Sequence, residues 1–339
     1  MKVLITGGAG FIGSHTYVNL KDNGYQPIIL DNFANSEIQV IHHLEEITRD
    51  KVIFYQGDAN QQSILEKIFS SHSIQGVIHF AADKAVGESV KNPLKYYENN
   101  VLSTIQLLKT MITYGVQNFV FSSSCTVYGQ PDSLPVTENS PVRPAESPYG
   151  NTKQICEEIL KDTVQSGAKI KGVALRYFNP IGAHESNLIG ELPLGVPANL
   201  VPFLTQSVAG LRGPLSVFGN DYPTPDGTAI RDYIHVCDLA EAHVKALEYA
   251  QKVTPDSFYD VFNIGTGKGS SVLEVINSFE IANQIKVPYE IKPRRSGDIT
   301  AVYADTQKSE KLLHWKAQKT LEDALRDAWN WQKKISEIK

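Results

Sequence analysis

The chain has 339 residues, 42% of them hydrophobic, with a formal net charge of −5 and three cysteines. That length supports a large core and more than one lobe, while the mildly acidic balance leaves no basic footprint for nucleic acid or an anionic membrane surface. Cys125, Cys156 and Cys237 are odd in number, far apart and without a Cys-x-x-Cys pair, which argues against a disulfide framework or a zinc site and suits a cytoplasmic setting.

In chain order, short β-branched runs at Lys2 to Thr6, Pro27 to Leu30, Val52 to Gln56, Gly76 to Phe80, Asn118 to Ser122 and Lys171 to Arg176 read as strands. Met1 to Ile5 is expected to open the first strand, not a signal peptide, and no run of about 18 apolar residues predicts a membrane span. Helix-period segments fill the gaps, the longest being Pro93 to Tyr114 and Tyr149 to Gln165. This rhythm predicts an α/β fold, a Rossmann-type doubly wound parallel sheet with ligands at the carboxyl ends of its strands. Surplus apolar residues on the two long helices suit a homodimer interface, although plain packing on the sheet explains them too. From Asn179 the sequence turns Gly-, Pro- and Asn-rich, then regains helical patterns at Val236 to Tyr249, Val272 to Asn283 and Leu321 to Lys334. Residues 1–178 are therefore expected to form the Rossmann domain. Residues 179–339 form a smaller, mixed α/β substrate lobe, with some segments returning to the first domain. Trp329 and Trp331 read as packing residues.

Gly8-x-Gly10-x-x-Gly13 follows the first strand and enters a helical pattern, so its glycines permit a tight turn and bring a pyrophosphate to the helix N-terminus. Asp31 ends the second strand roughly 20 residues on, where a carboxylate accepts from a ribose 2′-OH and repels a 2′-phosphate. NAD is thus preferred over NADP. Asp58, after the third strand, is placed either for the adenine side or as a helix cap before Ser63 to Phe69. Phe80-Ala81-Ala82 ends the fourth strand with small residues against which a cofactor can lie.

Tyr149 and Lys153 are four residues apart and share a helix face, and Ser124 lies in a Ser-Ser-Ser run upstream. A tyrosine that removes a hydroxyl proton near neutral pH needs a depressed pKa, and the Lys153 ammonium with a positive nicotinamide ring is expected to supply it; a shift of ~3 units is ~4 kcal/mol. Ser124 then relays the proton. Tyr17 and Lys21 repeat the spacing inside the first helix and read as structural.

Thr6-Gly7-Gly8-Ala9-Gly10-Phe11-Ile12-Gly13, Ser122 to Gly129, Ser147-Pro148-Tyr149-Gly150-Asn151-Thr152-Lys153 and Arg176-Tyr177-Phe178-Asn179-Pro180 resemble the extended short-chain dehydrogenase/reductase superfamily. Gly219 to Thr224, Asp226-Gly227-Thr228, Arg231 to Val236 and Arg294-Arg295-x-Gly297-Asp298 are similar to its UDP-glucose 4-epimerase family, and the resemblance runs through effectively the whole chain. It implies oxidation of a UDP-hexose at C4 by tightly bound NAD, rotation of the 4-keto sugar and return of the hydrogen to its other face. Ser124, Tyr149 and Lys153 are the implied catalytic residues. The implied cofactor residues are Gly7, Gly10, Phe11, Ile12, Gly13, Asp31, Asn32, Asn35, Ser36, Asp58, Ala59, Phe80, Ala81, Lys84, Asn99, Ser122, Tyr149, Lys153 and Phe178. The implied substrate residues are Ser124, Tyr149, Asn179, Asn199, Leu200, Phe218, Arg231, Tyr233, Arg295, Asp298 and Val302. No metal is implied. Arg231 and Arg295 suit a diphosphate through charge-assisted hydrogen bonds, whereas His235 reads as structural. Cys125, Asp83 and Ser103 depart from the family's usual residues.

Two rivals remain at this point. A nucleotide-sugar 4,6-dehydratase needs an acidic pair after the catalytic hydroxyl, and Cys125-Thr126-Val127 supplies no carboxylate. A non-catalytic dinucleotide-binding regulator has no need of Ser124, Tyr149 and Lys153 together. The resemblance further implies that Val302, seven places after Arg295, sets the space beside the sugar. A small residue there admits a 2-acetamido group, and a one-residue slip to Tyr303 reverses the strand's faces.

Overall fold

A computed structural model describes residues 1–295 and 298–337; Ser296 and Gly297 of the arginine-rich motif lie outside the described residues. All six expected strands form, as β1 (Lys2–Thr6), β2 (Gln26–Asp31), β3 (Ile53–Gln56), β4 (Ile74–His79), β5 (Asn118–Ser122) and β6 (Lys171–Tyr177). Eight more follow: β7 (Asn179–Ile181), β8 (Leu215–Phe218), β9 (Ile230–Arg231), β10 (Tyr233–His235), β11 (Phe258–Ile264), β12 (Ser270–Ser271), β13 (Tyr289–Lys292) and β14 (Ala301–Val302). The main sheet has seven strands in the order β11-β6-β5-β4-β1-β2-β3, every neighbouring pair parallel. The order reverses between β1 and β4, which opens a crevice at their carboxyl ends.

Alternation along the strands divides the core between the two faces. Val3 and Ile5 pack with the helices Phe11–Asp22 and Val236–Lys252, while Leu4 packs with Leu107, Leu160 and their helices on the other face. β11 was not foreseen. It pairs along its whole length with β6, but Asp260 and Asn263 interrupt its apolar pattern. Their partners come from elsewhere, Lys308 for Asp260 and Tyr128 with Val136 for Asn263. The second lobe gathers helices Leu200–Val208, Val272–Asn283 and Leu321–Glu337 around Leu204, Phe279 and Leu325.

The expected helix from Pro93 to Tyr114 is interrupted by a π-helical turn at Tyr97–Val101. The turn brings consecutive asparagines onto one residue: Asn99 donates to the Asp83 carboxylate at 3.0 Å, and Asn100 accepts from the Asp83 amide at 2.8 Å and donates to its carbonyl at 3.0 Å. Local loss of α-helical pitch here is tied to a specific set of partners, as such turns often are.

The helix Pro148–Gln165 starts with Ser147 accepting from the Gly150 amide at 3.2 Å and Pro148 in its first turn. Its buried stripe includes Tyr149, Lys153, Glu157, Leu160 and Val164. Glu157 receives Arg176 of β6 through two guanidinium nitrogens, Nε at 3.0 Å and Nη2 at 2.6 Å, and also accepts from the Ser123 hydroxyl. Both charged side chains are only 7% exposed. Breaking a buried pair leaves an uncompensated charge, worth about 3–5 kcal/mol. Glu157→Ala and Arg176→Ala should each lower the urea unfolding free energy by about that amount, and the double variant by clearly less than their sum.

Candidate active site

One cavity of about 1090 Å³ runs from the glycine turn after β1, past Tyr149 and Lys153, to Arg231 and Arg295 in the second lobe. It is large enough for more than one ordinary small-molecule site. Of the candidate residues, all but Ser124, Phe178 and Val302 line it. Those three are buried immediately behind the wall, at 6%, 3% and 4% exposure.

The cofactor end is a close-fitting cradle. Gly7 has φ +69°, and a Cβ there would sit 2.8 Å from the Ala81 amide nitrogen; at Gly13 it would sit 2.2 Å from the Gly7 carbonyl oxygen. No side chain caps the helix that begins at Phe11, so its start is open to an anion. Asp31 is buried, with Oδ2 accepting from the Ala9 amide at 2.9 Å and Oδ1 from Phe33 and Ser36 at 2.8 and 3.1 Å. Its carboxylate therefore braces the glycine turn as well as facing the cavity. Asp58 does not cap the helix Gln62–Ser71. It accepts from the Asn60 amide at 2.8 Å and stays on the cavity wall. These glycines, the open helix start and Asp31 fit a dinucleotide.

At the chemical end, β5 delivers Ser124, whose Oγ accepts from the Thr126 amide at 3.2 Å and lies within hydrogen-bond reach of the Tyr149 phenol. Lys153 Nζ donates to the Ser122 carbonyl at 2.8 Å and stands 5.9 Å from the Tyr149 ring centre. The sequence-based expectation of a depressed phenol is not met by the protein groups alone. Burial drives Tyr149 above its ordinary value, with Tyr177 adding to the rise and Ser124 opposing it. Burial also brings Lys153 down to about 8, against the pull of Cys156 and Glu157. Desolvation outweighs the lysine because both side chains are buried and the ammonium donates to a carbonyl. Cys125 beside them stays a thiol, raised to about 12 by desolvation.

The far end carries the arginines. Arg231 pairs with Asp298 at 3.1 Å, and the Arg295 guanidinium lies 3.9 Å from the centre of the Phe218 ring. Val302 pairs with Arg231 across β14 and β9 and packs with Cys125, Val127, Tyr128 and Phe178. Tyr303 turns the other way, beside Gly269. His235 is 1% exposed; Nδ1 accepts from the Cys237 amide at 3.0 Å, which leaves Nε2 to donate to Asp327 at 3.1 Å. That histidine caps a helix. Tyr17 is buried and Lys21 pairs with Asp50.

Sequence reasoning missed Tyr177, Glu191 and the wall role of Trp331, all of which line the cavity. Tyr177 accepts from the Ser122 hydroxyl at 3.0 Å and was legible as part of the Arg176 to Pro180 motif. Glu191 sits in an aperiodic Gly- and Pro-rich stretch that gave no signal. Among the described residues there is no group of three or more metal-ligating side chains, and no helix long and apolar enough to cross a membrane.

Residues 4–328 match the family model described as GDP-mannose 4,6 dehydratase. A UDP-glucose 4-epimerase of Neisseria meningitidis serogroup B is 49% identical over 97% of this chain and 96% of its own. The UDP-glucose 4-epimerase of Stenotrophomonas maltophila, crystallised with NAD and formylated UDP-arabinopyranose, superposes with TM-score 0.97 at 45% identity and full coverage of both chains. That of Bifidobacterium longum, in complex with NAD+ and UDP, gives TM-score 0.94 at 47% identity over 99% of each.

The Lys153 ammonium generates a testable pH dependence. Its folded value near 8 lies below its free value of 10.5, so the unfolded chain binds more protons between those limits. The full cost, about 3 kcal/mol, is present below pH 8 and is relieved as pH rises toward 10.5. In protein stripped of dinucleotide, Lys153→Met should raise the unfolding free energy at pH 7 by about 2 kcal/mol, after loss of a hydrogen bond worth ~1 kcal/mol. Denaturant melts across pH 7 to 10 should show that gain disappearing.

Proposed function

The chain belongs to the UDP-glucose 4-epimerase family, and on that premise we propose that Ser124, Tyr149 and Lys153 carry out reversible inversion at C4 of UDP-glucose and UDP-galactose. NAD is the cofactor. The observation that carries this reading is the placement of Tyr149 and Lys153 between the dinucleotide cradle and the two arginines, in one continuous cavity. A dehydratase, despite the broader family model's description, would need carboxylates that Cys125, Thr126 and Val127 lack. A regulator without turnover leaves the buried tyrosine, lysine and serine unexplained.

In the proposed mechanism, Arg231 and Arg295 hold the diphosphate and Asn179, Asn199, Leu200, Phe218 and Tyr233 line the remainder of the UDP-sugar site. Tyr149 takes the C4 hydroxyl proton through Ser124 and later gives it back. NAD, when bound, supplies the two-electron acceptor and a positively charged ring. Lys153, fixed on the Ser122 carbonyl, keeps an ammonium below the phenol. Burial of Tyr149 and Lys153, at 7% and 3% exposure, limits water at the ketone stage. The protein is inferred to work in the cytoplasm as a homodimer, with the exposed Val90 and Leu94, 62% and 79% accessible, supporting a covered helical face.

Conversion of UDP-galactose to UDP-glucose without added nicotinamide cofactor tests the assignment. Tyr149→Phe should lower kcat by ~100- to 10,000-fold while leaving UDP affinity nearly unchanged. Near-normal turnover in that variant would sink the assigned base.

Val302 carries a finer proposal: it packs with Phe178 and Cys125 behind the cavity wall, and a valine there in place of a larger side chain leaves room for a 2-acetamido group. Wild-type protein should interconvert UDP-N-acetylglucosamine and UDP-N-acetylgalactosamine, and Val302→Tyr should suppress that reaction selectively. Turnover of simple hexoses alone would refute the gate and leave the epimerase assignment standing.

A further inference from the structure

Among the carboxylates on the cavity wall is Glu191, which the reaction just described does not use. Its oxygen accepts from Asn199 Nδ2 at 2.8 Å and from Lys84 Nζ at 3.2 Å. Lys84 follows β4 in the cofactor-binding wall, and Asn199 precedes the helix Leu200–Val208 in the opposite lobe. The glutamate side chain is 11% exposed, whereas Lys84 is 58% exposed. Glu191 is thus the fixed member of the set.

Its backbone explains the fixity. The Trp331 indole donates to the Glu191 carbonyl at 3.0 Å. A Cβ on neighbouring Gly190 would meet the Trp331 ring at 2.6 Å, so backbone and ring are in direct contact. Ile189 is 1% exposed in the core, and Gly190 bridges to Ala183. Asn199 provides an independent sign. An asparagine at an N-cap normally accepts from the first-turn amides, yet Asn199 makes no such bond. A carboxylate accepts only, so the amide presents Nδ2 to Glu191, and that contact holds the side chain away from its own helix.

We propose that Glu191 is a positioning residue for the substrate site, orienting Asn199 from one lobe against Lys84 from the other before the nucleotide-sugar arrives. The proposal rests on the epimerase reading for the identity of the ligand. Without the carboxylate, Asn199 is free to turn back and cap its helix, and each binding event must order it again. The loss falls on affinity, because Glu191 acts through binding groups and not on the reacting carbon.

The test uses NAD-loaded protein, with UDP affinity by calorimetry and UDP-galactose kinetics, for Glu191→Ala, Glu191→Gln, Asn199→Ala and the Ala/Ala double variant. Glu191→Ala should weaken UDP binding and raise KM by about 10-fold, the scale of one charge-assisted hydrogen bond, with kcat within about threefold of wild type. Glu191→Gln, which keeps an oxygen for Asn199, should recover most of the UDP affinity. Asn199→Ala should cost less in the Glu191→Ala background than alone. Unchanged UDP affinity in Glu191→Ala, additive effects in the cycle, or a fall in kcat alone would overturn the proposal. Wild-type protein that binds UDP but does not turn over UDP-galactose would overturn the reaction assignment instead, and the UDP affinities would still judge Glu191.

Discussion

The buried ion pair between Glu157 and Arg176 is the constraint on which the rest of the site depends. Glu157 stands on the helix that carries Tyr149 and Lys153, Arg176 on the strand leading to Asn179, and Ser123 immediately before Ser124. Three separately folded pieces therefore meet on one carboxylate. Burial makes the arrangement costly to form and more costly to leave half made, so the serine loop and the tyrosine helix are held to a narrow range of relative positions.

The same burial sets the chemistry. Closing water out raises the Tyr149 phenol and lowers the Lys153 ammonium, both shifts that favour neutral groups. The protein without cofactor is therefore not a ready-made base. A positive charge brought into the closed site acts in a low dielectric and is felt strongly. The positive ring that bound NAD would bring is therefore the group that the proposed base requires.

A second theme is the use of asparagine as a two-sided connector. Asn100, buried in the π-helical turn, accepts from and donates to the Asp83 backbone and also donates to Thr152 at 3.0 Å; Thr152 in turn donates to the Tyr149 carbonyl at 2.7 Å. The loop after β4 is thereby tied to the helix of Tyr149 and Lys153. Asp83 and Ser103 are accommodated here. The Asp83 carboxylate orients Asn99, and Ser103 donates to the Asn100 carbonyl at 3.2 Å.

The sequence by itself determined the alternating strands and helices of the first half, the dinucleotide turn and the Tyr149 and Lys153 pair, because each rests on local periodicity or on a motif whose chemistry is short-range. The place of His235 at a helix start also favoured a structural reading, and the structure supplies the cap. Only the tertiary structure decided that β11 completes the main sheet, since Asp260 and Asn263 find their partners far away in the chain. It likewise decided that a π-helical turn interrupts the helix through Asn99. The direction of the Tyr149 shift also came from three dimensions: spacing puts a lysine nearby, but burial and the Ser122 carbonyl determine how little that lysine does alone. Glu191 belongs to the same class, because its role comes from the wall it faces and the backbone that fixes it, neither of which has a local sequence pattern.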